Sequence, residues 1–359
     1  MPNFDIIKTN KTDLTFRVSS VIGKFDLQSN ETTEHFKGKI DLSTDWKVGL
    51  IVGKSGSGKT TIAKQLFENS YITKFEYTNK SILDDMPNWC SVSDITNAFN
   101  SVGFSSPPSW LKPYFVLSNG EKMRCDLARS ILEKNEMIVF DEFTSVLDRN
   151  VAKIGSFAIQ KAIRKSNKKF IAVGCHYDVE DWLMPDWVFN TDTMTFHSFE
   201  GQKKNRPKIK FNIYKAKNKS IWGMFSKHHY LSHTHNNAAH VYLATINNEI
   251  AGFLSVLHLP HPIAKTIKKV HRLVILPDYQ GAGFGIKFLE EIGKIYKKEK
   301  WRFTIKTSAP SLIYALKKRT QWRCTQYGRH KGGKSGLIHS SDDKNQTSKH
   351  RLTASFEMK

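Results

Sequence analysis

The sequence has no run of 18 apolar residues, so nothing in it predicts a helical membrane span. Its opening residues, MPNFDIIKTNKTD, lack an apolar signal core, which argues for a cytoplasmic protein. Cysteine is scarce. Cys90, Cys125, Cys175 and Cys324 stand far apart with no CxxC spacing and read as reduced thiols. No repeat of fixed period is visible. Acidic residues are scarce in one part only. Residues 1–200 carry 24 basic and 25 acidic side chains, whereas residues 201–359 carry 31 and 8, so the net charge of +22 arises entirely in the second part. A region so short of acids points to a polyanionic partner, most simply nucleic acid.

What is present suits two folded domains. The chain has 359 residues and is 39% hydrophobic, enough for two cores and too much for a disordered protein. The polar, basic stretch GQKKNRPKIK (201–210) follows the strand-like MTFHSF and reads as a linker between a domain at 1–200 and a domain at 211–359. A Gly-, Ser- and Lys-rich stretch at 328–350 reads as a mobile basic loop, and RLTASFEMK beyond it alternates like a final strand.

In the first part, WKVGLIV (46–52) has a buried-strand pattern and runs into GKSGSGKTT (53–61) and then the helical TIAKQLFENS. Strand, glycine-rich loop and helix is the context a phosphate loop requires. Gly53, Gly56 and Gly58 let the backbone curl around phosphate oxygens, with Lys54, Ser55, Ser57 and Thr61 completing the cradle. Lys59 reaches the β/γ-phosphates, and the Thr60 hydroxyl suits Mg²⁺. Four segments follow in order: LSNGEKMR opening a helix, the apolar strand EMIVFDEF, SVLD, and the strand IAVGCH.

This order resembles the ATP-binding-cassette (ABC) ATPases over roughly 20–190. The resemblance makes LSNGE the signature loop, with Ser118 and Gly120 as nucleotide contacts and Asn119 where a second glycine is usual. It makes Asp141 the magnesium-side acid and Glu142 the residue that polarises the attacking water. It makes Asp148 of SVLD part of the loop across a dimer interface, and His176 the switch histidine. In that family the signature loop completes the site of a second cassette, so one cassette per chain implies a homodimer or a cassette partner. FEYTNKSILDDMP occupies the region where the family's Q-loop glutamine would lie, and Phe25 and Phe36 are the available aromatics for an adenine. Only 55 residues (62–116) separate the phosphate-loop helix from LSNGE, which leaves no room for the coiled-coil arms of chromosome-structural relatives.

The second part reads as mixed α/β. PKIKFNIYKA suggests a strand and IWGMFSKHHYL a helix. HVYLATINNEIAGFLSVL suggests a hairpin turning at Asn247-Asn248. VHRLVIL is a strand leading into PDYQGAGFG and a helix whose stripe is Phe288, Leu289, Ile292, Ile295 and Tyr296. WRFTIKTS, PSLIYALKKRT and WRCTQYG add strand, helix and strand. This order resembles the GNAT acyltransferases, and Gln280, Gly281, Ala282, Gly283, Phe284 and Gly285 fit that family's Q-x-x-G-x-G loop. The resemblance implies an acetyl-CoA or related acyl-CoA donor held by that loop and by Leu273, Val274 and Ile275. HHYL (228–231), HRLVILPDYQGAGFG (271–285) and SAPSLIYALKKRTQWR (308–323) also look like the Mom family of phage DNA-adenine modification proteins, whose relatives occur fused to a cassette ATPase. That likeness implies an adenine amine as acceptor.

The fold class is therefore α/β, a P-loop ABC-type ATPase domain followed by a GNAT-like mixed α/β acyltransferase domain. Candidate acid–base groups for acyl transfer are Asp278, Tyr279, Ser308 and Tyr314. Arg272, Lys317, Lys318, Arg319, Trp322 and Arg323, with Trp301 and Tyr327 nearby, interleave cations and aromatics as nucleic-acid contacts do. His228, His229, His233, His235 and His240 form a cluster without fixed metal-ligand spacing. The reading is a nucleic-acid-modifying enzyme driven by ATP and Mg²⁺. An RNA acyltransferase, a protein acetyltransferase and a non-catalytic ATP-switched binding protein are the alternatives.

Overall fold

A computed structural model describes residues 3–27, 30–72, 75–199, 209–217, 220–229, 234–260, 266–329 and 352–359. The linker stretch 201–208, His233 and most of the predicted mobile loop lie outside the described residues. In chain order, the elements begin with β1 (Asn3–Lys11), α1 (Phe16–Lys24), β2 (Glu31–Lys39), β3 (Val48–Val52), α2 (Lys59–Phe67) and β4 (Tyr71–Ile72). Then come α3 (Val92–Ser101), α4 (Pro107–Trp110), α5 (Asn119–Leu132), β5 (Met137–Phe140), α6 (Arg149–Ile163), β6 (Lys169–Gly174), α7 (Val179–Leu183), β7 (Trp187–Asn190) and β8 (Thr195–Ser198). The remainder comprises β9 (Phe211–Ala216), α8 (Trp222–Ser226), β10 (His240–Ile246), β11 (Glu249–His258), β12 (Ile267–Ile275), α9 (Phe284–Lys298), β13 (Arg302–Thr307), α10 (Pro310–Lys317), β14 (Trp322–Arg329) and β15 (Leu352–Met358).

The chain divides into two compact units. Met1–Glu76 and Arg129–Pro207 form one, and Tyr77–Ala128 with Lys208–Lys359 form the other. The sequence groups 77–128 with the first domain. In the structure this segment packs with the second unit, because a buried arginine on α5 bonds to carbonyls of the loop after β12.

The first unit holds a six-stranded sheet in the order β4-β5-β6-β3-β7-β8, parallel throughout except that β8 runs against β7. Its central strands are buried on both faces, which explains the unbroken apolar run VGLIV. A separate antiparallel pair, β1-β2, contributes Phe4 and Phe36 to the same core as Ile51, Ile62, Trp187 and Phe189.

The second unit holds a seven-stranded sheet in the order β14-β15-β13-β12-β11-β10-β9. The β10–β11 hairpin turns at Asn247 (φ 50°) and Asn248 (φ 72°), the left-handed pair that asparagine tolerates best. One face of the sheet packs on α9 and α10 through Phe288, Leu289, Ile292, Phe303, Leu316 and Phe356. The predicted α9 stripe is buried except for Ile295, which is 42% exposed. The helix predicted over IWGMFSKHHYL is shorter, five residues long, with Trp222 and Phe225 buried. The C-terminal strand forms as its alternation predicts, but it inserts between β13 and β14.

Candidate functional site

The GKSGSGKTT loop joins β3 to α2. Gly56 (φ 83°) and Gly58 (φ 82°) are left-handed, and Gly58 caps α2 with no side-chain hydrogen bond, so the helix's first N–H groups face outward. A side chain at Gly58 would strike the Phe36 ring, 2.4 Å away. The loop is braced from its own unit. Lys54 N–H donates to Asp192 Oδ1 at 2.9 Å, and the Ser57 hydroxyl lies 2.6 Å from that of Thr191. Lys59 Nζ donates to Lys54 O at 2.5 Å, which holds the ammonium over the loop.

Strand β5 delivers the carboxylates. Asp141 Oδ2 accepts from the Thr60 hydroxyl at 2.8 Å and also from the Tyr71 hydroxyl. Burial, and then the Asp141 carboxylate, push the Tyr71 phenol well above its usual range, so it stays a neutral donor. Glu142 follows with φ 52°, and its Oε2 accepts from Ser145 at 2.5 Å. Asp148 caps α6 by accepting from Asn150 N–H at 2.8 Å. His176 follows β6, with its Nδ1 3.6 Å from Cys175 Sγ. No motif in the sequence points to Tyr71 or Asp192. Parallel pairing of β4 with β5, through Tyr71 and Val139, brings Tyr71 beside the acid. Phe36 is 7% exposed and Phe25 66% exposed. Ser118 and Gly120 open α5 in the second unit, where Glu121 accepts from Ser118 N–H at 3.1 Å.

The second loop repeats the first in outline. Gly281 (φ 88°) and Gly283 (φ 92°) are left-handed, and Gly283 caps α9 with no side-chain hydrogen bond. Strand β12 pairs with β13 in parallel at Ile267–Lys269 only, then continues to Ile275. The β13-side edge of Leu273, Val274 and Ile275 thus lies beyond the paired stretch, where an extended ligand's amides could bond to it. Gln280 is a brace: its Nε2 donates to Ile275 O and its Oε1 accepts from Ser105 N–H, both at 2.7 Å. Ala282, Phe284 and Gly285 complete the turn into α9.

The remaining predicted residues separate. Asp278 offers its backbone carbonyl to Arg124 at 2.8 Å. Tyr279 is buried, with its hydroxyl on Glu249. Tyr314 is exposed and bonded to Lys318. Ser308 lies just after β13. Arg272 donates to the carbonyls of His271 (3.0 Å) and Thr234 (2.9 Å). Lys317 sits over the Tyr327 ring at 3.4 Å, Arg319 pairs with Glu290 at 3.3 Å, and Arg323 pairs with Glu357 at 3.4 Å. Trp322 is a correction. It is 5% exposed inside the α9/α10 core, so its ring cannot stack on a base.

Of the predicted histidines, His229 and His235 both pack on the Trp222 ring, at 5.8 and 5.7 Å. His240 bonds to Tyr296 at 3.0 Å, while His235 also lies 5.5 Å from His271. Among the described residues no group of three His, Cys, Asp or Glu could hold a metal ion. His271 sits at a bulge in β12, and its Nε2 accepts from Asn236 N–H at 3.3 Å. Burial, then Arg272 and His235, lower it to about 4, so it is neutral at physiological pH.

Two glycine-rich strand–loop–helix turns thus stand on two separate mixed sheets, the second of them within the stretch that a family match covers. Residues 208–310 match the Acetyltransferase (GNAT) family. The family matched is the general one, so the narrower likeness to Mom rests on the sequence stretches alone. Among solved structures, 44% of the chain overlays on a bacterial Atm1-family ABC exporter with ATP bound, at 18% identity and a TM-score of 0.34, spanning 33% of that exporter's length. The ATP-binding cassette MJ0796, in a dimeric post-hydrolysis state bound to ADP and Pi, aligns with 56% of the chain and 99% of its own at 12% identity and a TM-score of 0.41. The ribosomal-protein-S18-alanine N-acetyltransferase from Escherichia coli aligns with 42% of the chain and 93% of its own at 12% identity and a TM-score of 0.31. No helix among the described residues is long and apolar enough to cross a membrane.

Proposed function

We propose that the chain is an ATP-hydrolysing enzyme whose acyltransferase region modifies a nucleic-acid base, with DNA adenine as the first candidate acceptor. The observation that carries this reading is the pair of matched loops, Gly56/Gly58 and Gly281/Gly283, in a chain whose basic excess lies with the second.

At the first loop, backbone N–H groups and Lys59 hold the nucleotide phosphates, and Glu142 orients the attacking water. Thr60 and Asp141 present two oxygens in mutual contact at 2.8 Å, a donor set that fits Mg²⁺. When bound, the ion neutralises phosphate charge. His176 and Asp148 serve the γ-phosphate and the dimer contact. Apolar side chains stand exposed beside two motifs that a homodimer would bury. These are Leu111 (71%), Phe115 (58%) and Val116 (64%) before LSNGE, and Val146 (71%) within SVLD.

At the second loop, N–H groups of 281–285 hold the donor's pyrophosphate and the β12 edge holds its amides. The base's exocyclic nitrogen attacks the thioester carbonyl carbon, and the carbon–sulfur bond breaks. The nitrogen loses one proton and the thiolate gains one, so the step balances without a further reactant. The polyanion meets the sheet face opposite α9. There Arg302 and Lys306 of β13 and Arg323 of β14 are exposed, with Glu357 of β15 the neighbouring acid.

Mass spectrometry of nucleosides tests the reading, using DNA and RNA from cells expressing the wild type, Lys59→Ala or Gly283→Asp. A new adenosine-derived mass in DNA, lost in both variants, is the expected result. A mass confined to RNA moves the acceptor to RNA. Absence of any adduct from cells containing folded protein refutes base modification.

A further inference from the structure

Arg124 lies on α5, one turn beyond the signature residues, and is 1% exposed. Its acceptors are backbone carbonyls. Nη1 donates to Gly103 O (2.8 Å), Pro277 O (2.8 Å) and Gln280 O (3.3 Å), and Nη2 donates to Asp278 O (2.8 Å). Burial lowers the guanidinium to about 10, leaving it charged at neutral pH. The same turn is fastened a second time, by Ser105 N–H to Gln280 Oε1 at 2.7 Å. These bonds grip residues 277–280, the turn that leads directly into Gly281–Gly285. The first turn of α5, which carries the signature residues, is tied as well. Glu121, 8% exposed, accepts from Ser109 Oγ at 2.7 Å and from Ser118 N–H at 3.1 Å.

A buried guanidinium that loses its acceptors is strongly destabilising, so α5 and the turn cannot shift independently. An arginine fork can span several carbonyls at once, whereas an ammonium is a point donor. We propose that Arg124 is a positioning residue that transmits the placement of the signature segment to the acyl-CoA loop, coupling nucleotide binding to acyl-CoA binding through α5. The proposal rests on reading the two loops as ATP and acyl-CoA sites.

Calorimetric titration of the full chain tests it, in a Glu142→Gln background that conserves ATP. The Kd for acetyl-CoA is measured with and without Mg·ATP, and the Kd for Mg·ATP with and without acetyl-CoA. Coupling of roughly tenfold, equal in both directions, is expected, since linkage is reciprocal. Arg124→Lys and Arg124→Met should bring that factor toward one while each ligand still binds alone. A merely structural arginine would lower the melting temperature and leave the ratio intact. A ratio of one in the parent, or an unchanged ratio in both variants, overturns the proposal. Absence of acetyl-CoA binding by the parent without nucleotide instead overturns the acyl-CoA reading beneath it. Should neither variant fold, amide exchange on the parent decides: Mg·ATP must alter protection of 277–285, and unaltered protection overturns the coupling.

Discussion

Alanine at Gly58 and at Gly283 makes a matched pair of perturbations with unequal consequences. Both glycines are left-handed helix caps, at φ 82° and 92°. An L-residue there costs about 1–2 kcal/mol of backbone strain. At Gly283 the added Cβ meets nothing within 4 Å, so strain is the whole cost. At Gly58 it would lie 2.4 Å from the Phe36 ring, which is 7% exposed and packed with Phe4 and Phe189 in one core. Moving a packed ring adds about 1–3 kcal/mol. Gly283→Ala should therefore lower the melting of its unit by about 2–8 °C at 2–4 °C per kcal/mol, and Gly58→Ala by about twice that. Scanning calorimetry is the assay, with the transition of each unit followed separately. Ligand binding should divide the same way: Gly58→Ala loses affinity for ATP, Gly283→Ala for acetyl-CoA. Equal destabilisation by the two variants would refute the packing argument. A variant that lost both ligands equally would refute the assignment of one ligand to each loop.

Tyr71→Phe removes one of two hydroxyls on Asp141 and should lower ATP turnover severalfold and shift the Mg²⁺ dependence, measured by phosphate release against Mg²⁺ concentration. Trp322→Ala should cost about 3–5 kcal/mol in chemical denaturation, as a core truncation does, without a specific loss of nucleic-acid affinity at temperatures where it stays folded. Arg323→Ala should weaken binding of a duplex modestly and flatten its salt dependence, read by anisotropy over a salt series. The depressed value at His271 means that the unfolded chain takes up this proton before the folded one does. Stability should therefore fall as pH drops from about 6.5 to about 4, and His271→Gln should flatten that limb. An imidazole NMR signal that titrates at the ordinary histidine value would contradict the burial argument.

The parts legible in the sequence are those written in local pattern. Loop chemistry and flanking apolar strands located both glycine turns, and Asn247-Asn248 announced its hairpin because asparagine accepts positive φ. What stayed hidden depends on strand order and packing. Tyr71 reaches Asp141 only because β4 lies beside β5, and spacing along the chain does not reveal adjacency. Arg124 has the composition of a solvated helix face, and its burial follows from a turn more than 150 residues away. Trp322 sits among cations in sequence, yet strand alternation turns it into the core while Arg323 faces out. The insertion of β15 beside β13 has no local signature at all.

That insertion bears on how the second unit is made. The ribosome delivers β9 through β14 before Leu352–Met358, yet β15 lies between β13 and β14 and pairs with both. Until those residues emerge, β13 has an open edge and β14 has no partner in the sheet, so Phe303, Ile305 and Trp322 await the covering side chains of Ala354, Phe356 and Met358. Final closure therefore requires a late, long-range pairing, the kind of step that slows folding and exposes nascent strands to chaperones or to misassembly. The region that would handle acyl groups acquires its finished sheet only after translation has passed every other strand of it.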